Sequence, residues 1–443
     1  VPPTPKSDAK KITPVMRQYE DAKSAYPDAV LFFRMGDFYE MFRDDAVLVA
    51  RELSLTLTAR NKGAPDEIPM AGVPHHAAHG YVAKLLAKGY KVAICDQMAD
   101  PSKVKGIVPR QVVRVVTPGL VTETDQLDAR ANNYLAAVDA GAGGAADDRG
   151  PFGLALLDLS TGELSAALVP DLASLLAELG RADPREALVP AGLDSVASLA
   201  KTAAPRAAIR TDEPVADGEV ASTIDEATAT PLAAESARVH APLALRAVAR
   251  ALRFARRCTP GAPVPVRRVA PLDPSATLRI DETAQAHLEL CRGADGSTKG
   301  SLLDVVDTTV TPGGARLLRR RVLSPLVDVA AIRRRLDEVE VFVTHARARS
   351  ELRQALAAIG DLERLAVRAA LREATPRDLA ALRDGLIAAP LALRALASIP
   401  DASARELLAV EGTDLVEDVA ARLAAALVDR PPPHAREGGV LRD

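Results

Sequence analysis

The chain has 443 residues, 48% of them apolar and only 3% aromatic, with a formal net charge of -3. That length allows about three domains of roughly 150 residues each and a substantial core, which excludes a mini-protein held together by staples. The mildly acidic balance excludes a chain that is basic throughout, so any surface for a polyanion must be local.

The start, VPPTPKSDAKKITP, has no apolar signal core behind its lysines, and no stretch approaches the ~20 apolar residues of a membrane helix. The chain therefore reads as soluble and cytoplasmic. Cys95, Cys258 and Cys291 are odd in number and widely spaced, without a CxxC pair, and read as reduced core thiols. Charge and aromatics are unevenly spread. Residues 1–120 carry 17 Lys plus Arg against 13 Asp plus Glu, and all six Tyr, all five Met and four of seven Phe lie before residue 135. The N-terminal third is thus a different kind of object from the Ala-, Leu- and Arg-rich remainder.

In chain order, Thr13 before Pro14 predicts a helix start, with Val15, Met16, Tyr19 and Ala22 on one face. AVLFFRM (29–35) predicts a buried strand, and Asp44 is placed to cap a helix through DAVLVARELSL. SLTLTAR (54–60) predicts a strand. HHAAHGYVAKLLAK predicts a helix that Gly89 can stop, and KVAICDQM and RQVVRVVTPG complete the strands. This order describes a compact α/β domain. A second unit begins near Ala129, with FGLALLDLSTGELSAALV as strand, turn and strand and DLASLLAELGRADP as a helix. AGAGGAADDRGP and TDEPVADGEVASTIDEATATP have the composition of surface loops. From Ala241 onward apolar residues recur every three to four positions with arginines between them, as in APLALRAVARALRFARRC and DLERLAVRAALREA, predicting an all-helical region.

Several chemistries can be weighed on the residues. His75, His76 and His79 sit at a helix start with Cys95 the nearby soft ligand, but His76 occupies the place of the glutamate in HExxH. No GxxxxGK[ST] phosphate loop exists, and GADGSTKG (293–300) has glycine and lysine in the wrong order. GxSxG elbows are absent. Asp158, on LALLDLSTG, could serve a metal-dependent nuclease or phosphohydrolase, although a lone strand aspartate is more commonly structural. The stretch MGDFYEMF (35–42) is more unusual. In extended backbone Phe38 and Glu40 share one face while Tyr39 points to the other. One reading buries Phe38 with Glu40 at the rim. The other makes Phe38 an exposed wedge beside a hydrogen-bond acceptor, since an apolar ring pushed between base steps kinks DNA at least cost where a pair is mismatched.

GDFYEMF, with IPMAGVPHHA (68–77), VAICDQMADPS (92–102) and VVRVVTPG (112–119), resembles the mismatch-recognition domain of the MutS family of DNA mismatch repair proteins. TLRIDETAQAHLEL (277–290) and GSLLDVVDTTVTPGGARLLRRRVLSPLVD (300–328) resemble the family's core region, with His287 where asparagine commonly precedes LEL. The resemblance implies an α/β mismatch-recognition domain with a mixed sheet over 1–128. An α/β ribonuclease-H-like connector without a nuclease role would follow over 129–240, and an incomplete all-α core and lever domain over 241–443.

By match, Phe38-Tyr39-Glu40 is the family's DNA probe, with Phe38 stacking on the mispaired base and Glu40 hydrogen-bonding to it in a kinked duplex. A carboxylate near phosphates is repelled by about 1 kcal/mol per charge at ~4 Å even in water, so Glu40 should penalise a tight fit on ordinary duplex. Backbone contacts are expected from Arg60, Lys62, Arg110 and Arg114. Met35, Asp37, Tyr39, Pro69 and Met70 are expected to support the wedge, and Phe42 to hold the loop to its domain.

The family's clamp, its ABC-type ATPase with Walker motifs and its dimerisation region correspond to sequence beyond residue 443, as for a partial reading frame. Hence no enzymatic activity, cofactor or metal is expected of this chain, ATP and Mg belonging to the ATPase domain. The expected ligand is double-stranded DNA with mispairs or small insertion loops. Homodimerisation, a MutL-type partner and a bacterial, nucleoid-associated location follow for the full-length family. The rivals are the metal-dependent nuclease and a MutS-like junction-binding scaffold that does not read mismatches.

Overall fold

A computed structural model describes residues 13–64, 67–99, 106–140, 150–408 and 412–442. The extreme N-terminus, most of the AGAGGAADDRGP loop and the last three residues of VAICDQMADPS lie outside the described residues. The chain divides into two compact units, one of residues 1–118 with the short segment Arg257–Gly261, the other of the remainder.

The first unit is built on a six-stranded mixed sheet. Its strands are β1 (Ala29–Met35), β2 (Phe38–Phe42), β3 (Thr58–Arg60), β4 (Ile68–Pro74), β5 (Lys91–Gln97) and β6 (Arg110–Val116), in the order β3-β4-β2-β1-β5-β6. Only β1 and β5 are parallel neighbours. Helix α1 (Pro14–Ala25) starts as its sequence predicts, with the Thr13 hydroxyl accepting from Met16 N at 3.4 Å. Its Tyr19 is buried edge-on against Phe33 and Phe42, at 5.6 and 5.0 Å between ring centroids. Helices α2 (Arg43–Leu53) and α3 (Ala78–Ala87) complete the unit, α3 being followed by Gly89 at φ +86°.

Two expectations in this unit need correction. Asp44 is not a cap: it lies in the first turn of α2, whose N-cap is Phe42 without a side-chain bond. The acid that matters there is the buried Asp45, which accepts from Leu31 N at 3.0 Å and Lys23 Nζ at 2.8 Å and so ties α2 to β1 and α1. The strand expected over 54–60 shrinks to Thr58–Arg60, because Ser54 adopts a left-handed conformation (φ +55°) that ends α2 and turns the chain.

The second unit opens on another mixed sheet. Its strands are β7 (Leu135–Asp139), β8 (Phe152–Asp158), β9 (Glu163–Val169), β10 (Glu186–Pro190), β11 (Ala208–Asp212) and the two-residue β12 (Ala270–Pro271), in the order β11-β10-β7-β8-β9-β12. Strands β7, β8 and β9 form an antiparallel meander, and β10 and β11 add in parallel beside β7. Helices α4 (Leu172–Ala182) and α5 (Asp194–Ala203) cover one face through Leu175, Leu179, Val196 and Ala200. The stretch 211–231, read as a loop, contains α6 (Val220–Ala227), since Ile224 and Ala227 bury one side of a helix despite the acidic, glycine-containing surroundings. It is followed by the short α7 (Ala233–Ser236).

Helix α8 (Pro242–Cys258) covers the opposite face of this sheet. Alanines 244, 247, 251 and 255 are buried, and Gly153 lets the helix backbone approach so closely that a Cβ there would lie 1.9 Å from the Leu243 carbonyl oxygen. Arg246 and Arg250 clamp the buried Asp139 at 3.0 and 3.1 Å. Beyond it the chain is largely helical: α9 (Glu282–His287), α10 (Leu302–Val306), α11 (Pro312–Leu323), α12 (Val329–Thr344), α13 (Ala346–Ala357), α14 (Leu362–Ala370), α15 (Pro376–Ala397), α16 (Ala402–Leu407) and α17 (Glu417–Ala426). The expected class, two mixed α/β sheets followed by helices, is the one adopted.

Arginines of these helices bind the rest of the unit. Arg364, 2% exposed, reaches Ser160 Oγ at 3.2 Å and the Asp128 and Ala131 carbonyls at 3.0 and 2.8 Å. Arg316 forms a two-pronged pair with Asp361 at 2.6 and 2.8 Å. Among the described residues no helix is long and apolar enough to cross a membrane.

Candidate nucleic-acid interface

Strands β1 and β2 are joined through Gly36 and Asp37, with Met35 paired to Phe38. Gly36 has φ +57°, as expected of a tight two-residue hairpin with glycine in first place. The turn is braced twice, by Arg34 Nε donating to the Gly36 carbonyl at 2.5 Å and by His75 N donating to the Asp37 carbonyl at 2.8 Å.

Exposure then alternates along β2. Phe38 is 47% exposed, Tyr39 is 4% exposed, Glu40 is half-buried, and Met41 and Phe42 are fully buried. The alternation leaves Phe38 and Glu40 on one face, where Phe42 also lies but is covered by Tyr19. Across from Glu40 on β4 stands Gly72, whose missing side chain leaves room beside the Glu40 and Phe38 side chains. On the other face Tyr39 Oη bonds Asp96 Oδ2 at 3.2 Å, its ring lies 5.5 Å from His75, and the Arg34 guanidinium lies 5.5 Å from its centroid.

Of the four expected cations, two are near Glu40. Burial pushes the Glu40 carboxyl above the ordinary glutamate value, and Arg60 on β3 and Arg110 on β6 pull it part of the way back. Arg110 is fixed by its own bonds, from Nε to the Arg34 carbonyl at 2.6 Å and from Nη1 to the Val108 carbonyl at 3.0 Å, with its guanidinium 5.2 Å over the Phe33 ring. Burial lowers the pKa of that guanidinium. Lys62 is exposed in the turn after β3, between Asn61 and Gly63, both at positive φ. Arg114 is on the opposite face: β6 shifts register between Ile94 and Cys95, so Arg114 pairs with Ile94 while Arg110 pairs with Gln97.

Among the supporting residues, Met35 lies directly across from Phe38 and Asp37 forms the turn. Met70 lies beside Phe42, and the exposed Pro69 pairs with Ala59, away from Phe38. The residue abutting Phe38 on β4 is Pro74, which sequence reasoning missed, as it missed Gly72 and Arg34. Arg34 had a signal, being the single charge in AVLFFRM.

The histidines and Asp158 do not assemble a metal centre. No cluster of three metal-binding side chains occurs among the described residues, and the buried Asp158 carboxylate accepts from Asn132 Nδ2, Asn133 N and Ser160 N and Oγ at 2.6–3.1 Å. Cys95 is buried, with its thiol pushed up to about 12, and all three cysteines are buried and outside any disulfide.

Three family models match consecutive parts of the chain: MutS domain I over residues 13–125, MutS domain II over 133–259 and MutS domain III over 283–443. A DNA mismatch repair protein MutS of Sorangium cellulosum is 65% identical over 463 residues, covering 98% of this chain and 50% of that protein. Those of Anaeromyxobacter sp. strain Fw109-5 and Myxococcus xanthus are 44% and 41% identical, each covering 97% of this chain and 48% of the relative. The chain spans about half the length of the curated relatives it matches.

Proposed function

The chain belongs to the MutS family of DNA mismatch repair proteins, and from that premise we propose that its first unit reads mispaired DNA by inserting Phe38 at a kinked base step while Glu40 accepts a hydrogen bond from the mispaired base. One observation carries the reading: a phenylalanine 47% exposed at a braced hairpin, beside a half-buried carboxylate on the same sheet face with two arginines acting on it. Such a ring is costly to leave in water and gains by entering a base stack. Opening a step costs a few kcal/mol, least where pairing is already lost, so deformability is what is read.

Glu40 sharpens the choice. Its raised pKa means that a neighbouring phosphate or further desolvation favours the protonated, donating form, whereas a base offering an N–H stabilises the carboxylate. Matched duplex offers its phosphates but no such free N–H on its pairing edges, because those donors are engaged in pairs. Arg60 and Arg110 are proposed to hold the backbone on this face, with Lys62 contributing from its turn. Arg114, on the other face, would then act outside the wedge.

For the domain division we propose a recognition block over 1–128, then a connector, then a helical block. The connector extends through α8, because Arg246 and Arg250 bind its sheet. ATP with Mg, homodimerisation and a MutL-type partner are proposed for the full-length protein, in a bacterial cytoplasm. The heptad-spaced, exposed Val329, Ile332, Leu336, Val339 and Val343 on α12 suit the two-helix packing of a lever arm.

The test is fluorescence anisotropy on mismatched and matched duplexes at fixed salt. Phe38→Ala should abolish the preference for mismatch, and Glu40→Ala should tighten matched duplex relative to mismatched. Unchanged discrimination in both variants would sink the reading.

A further inference from the structure

In the second unit a small cleft of about 60 Å³ is lined by six arginines, 181, 185, 206, 292, 319 and 320, against two aspartates, 128 and 183. The arginines arrive from different elements: Arg181 from α4, Arg185 and Arg206 from the approaches to β10 and β11, Arg292 from the loop after α9, and Arg319 and Arg320 from α11.

Their internal pairing is incomplete. Arg181 pairs with Glu178, Arg206 with Asp183 and Arg320 with Glu163. Among the described residues, Arg185 and Arg319 donate no side-chain hydrogen bond and form no ion pair, and Arg292 reaches only the Gly296 carbonyl, at 3.2 Å. The Nε of Arg181 is buried without an acceptor. Burial, then the charges of Arg292 and Arg319, push the Arg206 guanidinium down to about 10 and lower that of Arg185. Like charges gathered this closely, with donors left over, are costly unless an anion joins them.

We propose that this cleft binds the phosphoryl group of a small phosphate-bearing molecule. Guanidinium forks match phosphate oxygens in pairs, and donors converging from several elements suit a tetrahedral anion better than a flat carboxylate. The cleft has room for about two waters or one phosphoryl group, so any remainder of the ligand stays at its mouth. Its walls join the connector-type sheet (Arg181, Arg185, Arg206) to the helical region (Arg292, Arg319, Arg320), so the bound anion fastens the two together.

Isothermal titration calorimetry and thermal melting of the 443-residue chain test this, with inorganic phosphate and AMP as probes and ionic strength held constant with NaCl. Saturable binding is expected, tighter than ~1 mM, with a rise in Tm. Binding by phosphate alone assigns a free anion, and equal or tighter binding of AMP assigns an ester-borne phosphate. Arg185→Gln with Arg319→Gln should weaken binding at least about tenfold. Arg292→Gln alone, in an exposed loop, should weaken it about threefold. In phosphate-free buffer the double variant should melt no lower than the parent, because repulsion has been removed. The proposal is overturned if neither probe binds saturably, if the variants bind as the parent does, or if the double variant melts lower without phosphate.

Discussion

Glu40 has its carboxyl half-buried on the sheet face proposed to meet DNA, with burial as the largest influence on its titration. A carboxyl whose folded pKa is raised binds its proton more tightly folded than unfolded, so stability falls as pH rises through the folded value and recovers below the unfolded one. Glu40→Gln should therefore melt higher than the parent at neutral pH, the difference shrinking as the buffer is acidified below the ordinary glutamate range. Binding should show the same group, with matched-duplex affinity rising on acidification in the parent and staying flatter in Glu40→Gln. A Tm difference independent of pH would remove Glu40 from that role. Much at this scale was legible in the sequence. Period-two spacing sorted Phe38 from Tyr39, and the structure has the two residues on opposite faces. Arg110 and Arg114 are four apart and would share a face in a regular strand; the bulge around Val113, which no local residue announces, sends Arg114 to the other side.

Among the elements, the β1–β2 hairpin positions Phe38, and Gly36 is its weak point. Nothing lies within 4 Å of a Cβ built there, so space is not the constraint; the positive φ is. Gly36→Ala should cost about 1 kcal/mol in chemical denaturation, and it should also reduce mismatch preference by displacing Phe38. A variant as stable and as selective as the parent would show that the turn adapts freely. Strands β1, β5 and β6 were readable because each is a clear apolar or alternating run. Strands β7, β10 and β11 carry no such signal, being five-residue segments buried or paired in parallel without an alternation to recognise. Helix α6 was hidden by proline, glycine and acidic neighbours, although Val220, Ile224 and Ala227 already have helical spacing.

For the molecule as a whole, buried arginines tie distant segments of the second unit together. Sequence periodicity shows arginines between apolar positions without saying where they point, and Arg250, Arg316 and Arg364 are almost fully buried. Periodicity reports which side of a helix is apolar, and it is silent on a second buried side that faces carbonyls and carboxylates of distant segments. Arg364→Ala would leave the Ala131 carbonyl and Ser160 Oγ without this donor and the Asp128 carbonyl with only the Ala131 N–H, for a loss of about 3 kcal/mol. Denaturation of the variant measures it, and a loss below about 1 kcal/mol would mean that water replaces those bonds.

The exposed phenylalanine on this hairpin is proposed to open and bend DNA where pairing is weak. The most direct measurement is fluorescence energy transfer between dyes flanking a single mispair, read at saturating protein. The parent protein should shorten the dye separation on mispaired duplex and not on matched duplex, and Phe38→Ala should bind without shortening it. Equal bending by parent and Phe38→Ala would rule out a wedge role for Phe38.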